Sequence, residues 1–189
     1  RPTANAPTAF RGLLNGPDAS QTSISVADFS LTGRIFREAT GSLDANFMTA
    51  WETAFLLAEA AERGLLPADA QAWYETGVEL AFAYWQTELP ADYLSTGPAA
   101  YGANGADPLE QLLTQKWIAN LLNGYEGWIE YRRTGFPQLR TVAASLNDDR
   151  IPVRLPYPAD EEALNNANYL RATATNGNSV NAPVWWDVD

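Results

Sequence analysis

Residues 44–88 read DANFMTAWETAFLLAEAAERGLLPADAQAWYETGVELAFAYWQTE, and the spacing of their apolar side chains decides the fold. Phe47, Trp51, Ala54, Phe55 and Ala58 recur every three or four residues, which is one face of an α-helix from about Asp44 to Arg63. Asp44 or Ser42 is placed to cap its start, and Gly64 to stop it. Pro67 suits the first turn of a second helix, where its missing N–H costs nothing. Ala70, Trp73, Tyr74, Gly77, Leu80, Ala81, Tyr84 and Trp85 then give an apolar face that lasts to about Glu88. A link this short between two helices makes them antiparallel, a helical hairpin.

Downstream, Pro90, Gly97-Pro98, Gly102 and Gly105 punctuate a loop over residues 89–106. A third helix opens at Asp107, with Pro108 in its first turn and Glu110 completing a capping pair. Its expected buried stripe is Leu109, Leu112, Leu113, Trp117 and Leu121, and Gly124 ends it. A fourth helix spans about Tyr125 to Thr134, closed by Gly135 and Pro137. Two hairpins of this size resemble tetratricopeptide architecture, without its specific signature. The fold class is therefore all-α: tetratricopeptide-like helical hairpins with long loops and an extended C-terminal tail.

The organisation expected is a loop-rich segment over 1–43, a helical core over 44–136 and an extended wrap over 137–189. The first segment is rich in Gly, Pro, Ser, Thr and Asn, more loop than a small domain carries, and is assigned to a ligand face. Weak alternation over Ser23–Phe29 predicts a short strand there. In the wrap, Pro152, Pro156 and Pro158 impose extended backbone, suited to laying Leu155 and Tyr157 across helix ends. Glu161–Tyr169 reads as a short helix, and Trp185 and Trp186 as pins for the tail.

Composition narrows function. The 23 acidic and 12 basic residues leave a formal charge of −11, which disfavours a phosphate backbone, so no nucleic acid partner is expected. The chain has neither cysteine nor histidine, which removes disulfides, cysteine zinc sites and Ser-His-Asp or Cys-His catalysis. No apolar run approaches the ~18 residues of a membrane helix. The opening at Arg1, with no Met and no signal-peptide pattern, reads as a processed or partial chain.

Glu59 with Glu62, and Glu126 with Glu130, lie one helical turn apart and invite comparison with a glycosidase. Such an enzyme needs its carboxylates facing across a cleft, one with a raised pKa, whereas same-face neighbours read as a polar helix face. Asp148-Asp149 and Asp160-Glu161-Glu162 lack calcium-loop spacing, so no metal and no cofactor is expected. The seven Trp, eight Tyr and seven Phe are the stronger signal, because binders of sugars set aromatic faces beside amide and carboxylate groups. Trp51, Trp73, Trp117 and Trp128 stand at core spacing; aromatic residues in loops, including Phe29, Tyr93 and Tyr101, are better placed to meet a ligand. Arg132-Arg133 ends a helix, where cations complement the dipole.

Three stretches resemble a known family in order. They are Phe55-Leu-Leu-Ala-Glu-Ala-Ala61; the run Leu112-Leu-Thr-Gln-Lys-Trp-Ile-Ala119 with Asn123-Gly-Tyr-Glu-Gly-Trp-Ile-Glu-Tyr-Arg-Arg-Thr-Gly-Phe-Pro137; and Arg154-Leu-Pro-Tyr-Pro158, followed by Glu161–Tyr169 and Val184-Trp-Trp-Asp187. Together they are similar to the C-terminal part of SusD/RagB-like outer-membrane lipoproteins. The resemblance implies a non-enzymatic nutrient-binding protein that sits on the cell surface of Bacteroidota through a lipidated N-terminal Cys. It implies a SusC-like TonB-dependent transporter as partner and an oligosaccharide or peptide as ligand. It also places the N-terminal half of the family fold, with the lipidated Cys, outside this sequence. Position in the family points to the loop before the first helix, hence Asn15, Phe29, Arg34 and Phe36, with Tyr101 from the later loop, as ligand-binding residues. The rivals are a glycoside hydrolase fragment, which would cleave polysaccharide, and a scaffold that binds only protein.

Overall fold

The computed structural model describes residues 2–6, 8–13, 16, 25–33, 36–37, 46–140, 142 and 144–187. All regular structure among them is helical: α1 (Ala50–Glu62), α2 (Ala70–Tyr84), α3 (Pro108–Ala119), α4 (Gly124–Thr134), α5 (Ala159–Leu164) and α6 (Asn166–Thr173), with 3-10 turns at Val26–Asp28 and Ala103–Gly105. The chain divides into two compact units, Leu43–Leu139 and a second one made of Arg1–Ser42 with Arg140–Asp189.

In the Leu43–Leu139 unit, α1 and α2 form the expected antiparallel hairpin, with α3 laid against both. Phe55, Tyr74, Val78, Leu112 and Leu113 are buried at its centre. Phe55 meets Tyr74 edge to face at 6.3 Å. Gly77 lets α2 approach that ring, since a Cβ there would stand 2.9 Å from Phe55 Cδ1. The Tyr74 hydroxyl donates to the Ala99 carbonyl at 2.7 Å and so pins the loop that leads to α3. Tyr93 reinforces this, packing on Phe82 at 5.3 Å and donating to Gln115 Oε1 at 3.0 Å.

Several boundaries differ from the sequence reading. Phe47 is fully exposed ahead of α1, and Thr49 caps that helix: its hydroxyl accepts the Glu52 N–H, and the Glu52 carboxylate reaches back to the Thr49 N–H. This reciprocal pair satisfies two end amides at once; the expected caps Ser42 and Asp44 lie outside the described residues. Likewise α2 starts at Asp69, whose carboxylate accepts the Ala72 N–H at 3.1 Å, which leaves Pro67 in the link. Trp73 and Leu80 face solvent rather than the core, because α1 and α3 cover only the Tyr74–Val78–Ala81 side. Helix α3 closes at Ala119, and Leu121, expected in its buried stripe, is 53% exposed. The chain there turns through Leu122, whose φ of 68° lies in the left-handed region. Gly135, at φ 74°, ends α4 as expected, its N–H returning to the Tyr131 carbonyl at 2.7 Å.

In the other unit, segments around 3–11 and 27–30 hold each other through Asn5 N–H to Ala27 O (3.2 Å) and Ser30 N–H to Arg11 O (2.7 Å). The expected strand is replaced, over its described residues, by the Val26–Asp28 turn; a strand needs a ladder partner, and Asp28 and Phe29 bond back to Ser25 and Val26 instead. The proline-rich strip is fastened by side-chain amides: Asn178 both accepts the Tyr157 N–H (2.7 Å) and donates to the Tyr157 carbonyl (3.1 Å). Tyr157 packs on Tyr169 of α6 at 6.4 Å, whereas Leu155 is exposed. The single helix expected over Glu161–Tyr169 is two, broken at Asn165 (φ −133°, ψ 38°). Trp185 and Trp186 do not pin the tail: they are 87% and 58% exposed and pack edge to face on each other at 5.2 Å.

Candidate functional site

One member of each acidic pair joins a buried ion network. Glu59 of α1 and Glu130 of α4 are 5% and 7% exposed. Arg133 grips Glu59 with two bonds of 2.6 Å and reaches Glu130 Oε2 at 2.9 Å. Lys116 of α3, 1% exposed, holds the other Glu130 oxygen at 2.9 Å, and Arg63 holds Glu59 Oε1 at 2.8 Å. So the polar-face reading of Glu59 and Glu130, and the dipole-only reading of Arg133, are corrected. Glu59 comes from the first of the family-like stretches and Lys116, Glu130 and Arg133 from the second, and together they tie α1, α3 and α4. Burial alone would push the Glu59 carboxyl upward, but the hydrogen bonds from Arg133 and Arg63 outweigh it and hold it below the usual carboxylate range. A general acid for glycoside cleavage requires the opposite direction.

Chemistry suited to a ligand lies at the end of the helical layer where α1 begins and α2 and α3 end. A cleft of about 320 Å³ is lined by Asn46, Phe47, Met48, Thr49, Trp51, Glu52, Tyr84, Trp85 and Ala119 to Asn123. Phe47 stands fully exposed at it. Tyr84 and Trp85 pack edge to face at 5.0 Å, and the Trp85 indole N–H donates to the Ala119 carbonyl at 3.1 Å, tying the ends of α2 and α3. Asn46 donates to the Tyr84 hydroxyl. Asn123 caps α4 by accepting the Glu126 N–H. In the floor, Trp51 and Asn120 are each 5% exposed, yet the Trp51 Nε1–H and both polar atoms of the Asn120 amide meet no protein partner. A buried polar group left unpaired costs about 1–3 kcal/mol, so three such atoms beside one cleft make it the candidate site. The ion network serves this geometry, since Lys116 fixes α3 one turn before Asn120.

Of the residues expected from sequence, Asn15 and Arg34 lie outside the described residues. Phe29 is half-buried under the Arg11 guanidinium, 4.9 Å from its ring centroid. Phe36 is half-buried, its N–H bonded to Gly33 O at 3.2 Å. Both belong to the unit of the chain ends, whereas Tyr101 belongs to the helical unit. Tyr101 lies on Tyr74 at 5.0 Å and donates its hydroxyl to Glu62, at the far end of α1 from the cleft. Burial and the neighbouring Glu62 carboxylate push its phenol well above the ordinary range. Missed from sequence were Asn46, Asn120 and Asn123, while Trp51, Tyr84 and Trp85 were read as core. The usable signal was Asn120-x-x-Asn123 at a helix end, in a chain with two adjacent aromatic residues ending the preceding helix.

A family model described as starch-binding and associating with the outer membrane, SusD-like, matches residues 3–158. A solved SusD homologue from Parabacteroides distasonis superposes with a TM-score of 0.77 at 26% identity, covering 98% of this chain and 42% of that one. A SusD homologue from Bacteroides thetaiotaomicron gives 0.67 at 31% identity, over 80% of this chain and 40% of that one. A chitin-binding SusD homologue from Flavobacterium johnsoniae gives 0.66 at 28% identity, over 76% and 36%. The chain thus spans less than half the length of each of these structures. No curated protein matches it.

Proposed function

Since this chain belongs to the SusD-like family, we propose that it is part of a cell-surface protein that captures an oligosaccharide and delivers it to a SusC-like TonB-dependent transporter, without cleaving it. The anchor proposed is a lipidated cysteine outside this sequence, holding the protein to the outer membrane. The observation that carries the capture reading is the cleft, where exposed and half-buried aromatic rings stand beside unpaired amide and indole groups. Rings offer the apolar face of a sugar a surface, and the amides offer its hydroxyls partners. The named relatives support a glycan, one of them being described as chitin-binding. Binding without cleavage is supported by Glu59 and Glu130, which are tied up by Arg133 rather than presented across a cleft. Asn15, Phe29, Arg34 and Phe36 are proposed as ligand contacts of their own unit, and Tyr101 as one of the helical unit.

The test is to purify the full-length, membrane-anchored protein from its native outer membrane in mild detergent. A large TonB-dependent barrel recovered in near-equal amount is the expected result. Recovery without any barrel overturns the delivery role, and release of reducing sugar from mixed polysaccharides by the purified protein overturns the non-catalytic one.

A further inference from the structure

The described lining of the cleft combines aromatic rings with one carboxylate, Glu52, and contains neither Lys nor Arg. Resting on the capture reading above, we infer that the cleft takes an ammonium group, so that the oligosaccharide captured carries free amines. The rings of Phe47, Tyr84 and Trp85 supply π-faces to the cation, and Glu52 supplies its counter-charge.

The residue types carry this. Glu52 is half-buried in the first turn of α1 and forms no ion pair among the described residues. Its bond to the Thr49 N–H is long, at 3.5 Å, which leaves the carboxylate with accepting capacity to spare. Phe47 is fully exposed, and Tyr84 and Trp85 are half-buried and nearly perpendicular, at 85°. The bond from Asn46 to the Tyr84 hydroxyl brings the backbone next to Phe47 against the end of α2. Aromatic faces attract a cation through their quadrupole, and more strongly where water is partly excluded. A carboxylate set among such rings therefore suits an ammonium, whereas a divalent metal would need several oxygen ligands in place of one carboxylate.

The helix ends point the same way. Helices α1 and α4 begin at the cleft, and α2 and α3 end there. Both starts are compensated, by the caps Thr49 and Asn123 and by a carboxylate in each first turn, Glu52 and Glu126. The two ends are not: α2 has no base in its last turn, and Lys116, the base in that of α3, is buried and committed to Glu130. The negative ends of two helix dipoles thus add to the charge of Glu52, a potential that favours a cation. The formal charge of −11 on the whole chain favours its approach as well. A neutral or acetylated sugar would strip water from Glu52 and return no counter-charge. A volume of about 320 Å³ is at the small end for ligand pockets and fits one or two rings, with Phe47 placed to extend the contact outward.

The experiment is calorimetric titration of the full-length protein with hexaglucosamine, chitohexaose, maltohexaose and trilysine, in buffer acidic enough to keep the sugar amines protonated. It is repeated on Glu52→Gln, Phe47→Ala and Glu162→Gln, the last lying in α5 outside the cleft. Expected is hexaglucosamine bound roughly tenfold more tightly than either neutral hexamer, with that preference lost in Glu52→Gln and kept in Glu162→Gln, as for one charge-assisted bond. A glutamine still completes the reciprocal cap with Thr49, so Glu52→Gln should keep its melting temperature. Phe47→Ala changes a fully exposed side chain and should weaken hexaglucosamine roughly threefold. Hexaglucosamine bound equally by wild type, Glu52→Gln and Phe47→Ala overturns the cleft as its site. A loss shared equally by Glu162→Gln marks general attraction to an acidic surface and overturns it too. Chitohexaose or maltohexaose bound as tightly as hexaglucosamine overturns the ammonium selectivity but leaves glycan capture standing. Trilysine bound in place of all three sugars overturns both.

Discussion

Glu59 shows how one side chain can tie family recognition to stability. It is buried, doubly bonded by Arg133 and bonded again by Arg63. Arg133 and Arg63 are each 41% exposed and Arg133 keeps Glu130, so Glu59→Gln strands no buried charge and should cost roughly 1–3 kcal/mol in the intact protein, for its lost charge-assisted bonds. The pH dependence follows from the direction of the shift. An unfolded glutamate titrates near ~4.3, and the folded Glu59 titrates lower. Between those values the unfolded chain binds more protons than the native one. The contribution is thus complete above the unfolded value and is lost as pH falls through the folded one. A melting-temperature profile should fall below about pH 4.3 in wild type, and less steeply in Glu59→Gln. An equal slope in both would remove Glu59 as its source. The sequence named this carboxylate but not its partner, because Glu59 and Arg133 lie 74 residues apart and come within reach only because α1 and α4 both pack on α3.

At the scale of elements, periodicity in the sequence was enough to find α1 to α4 and the antiparallel first hairpin. Boundaries were less legible where two capping signals competed. Thr49-Ala-Trp-Glu52 and Asp69 sit inside apolar runs that periodicity alone assigns to helix, and side-chain bonds to backbone N–H groups overrule it. Which face is buried was partly hidden too: α2 is apolar nearly all round, and only the positions of α1 and α3 show that Tyr74 goes in and Trp73 stays out. Gly77 is the position where those helices depend on the absence of a side chain. Replacing a helical Gly by Ala ordinarily gains about 1 kcal/mol. Here the added methyl would meet the ring of the fully buried Phe55 at 2.9 Å. Overpacking costs about 1–3 kcal/mol, so Gly77→Ala should show a net loss in denaturant midpoint rather than the usual gain. A stabilised variant would mean that α1 and α2 can part by a few tenths of an ångström without penalty.

For the whole molecule, the site was the least legible feature, since it depends on atoms left unpaired, and a sequence does not show pairing. Asn120 and Trp51 look ordinary until α1, α2 and α3 bring them to one end of the layer. Away from the cleft, the same layer leaves a row of apolar side chains uncovered: Ile118 near the end of α3, then Tyr125 and Ile129 along α4, are 50%, 70% and 44% exposed. Large apolar side chains spaced along one stretch in this way go beyond the scattered exposure of an ordinary surface. This chain covers only 36–42% of the solved relatives, so their folds contain further elements that a layer like this one can pack against. If those elements cover the row, the 189-residue chain expressed alone should bind a dye for apolar surface that the full-length protein does not. In the short chain, Ile118→Ser with Ile129→Ser should lower that signal. In the full-length protein the same pair should destabilise, because each buried isoleucine is worth roughly 1.5–3 kcal/mol. A double variant that leaves full-length stability unchanged would show that the row stays open to solvent in the complete protein.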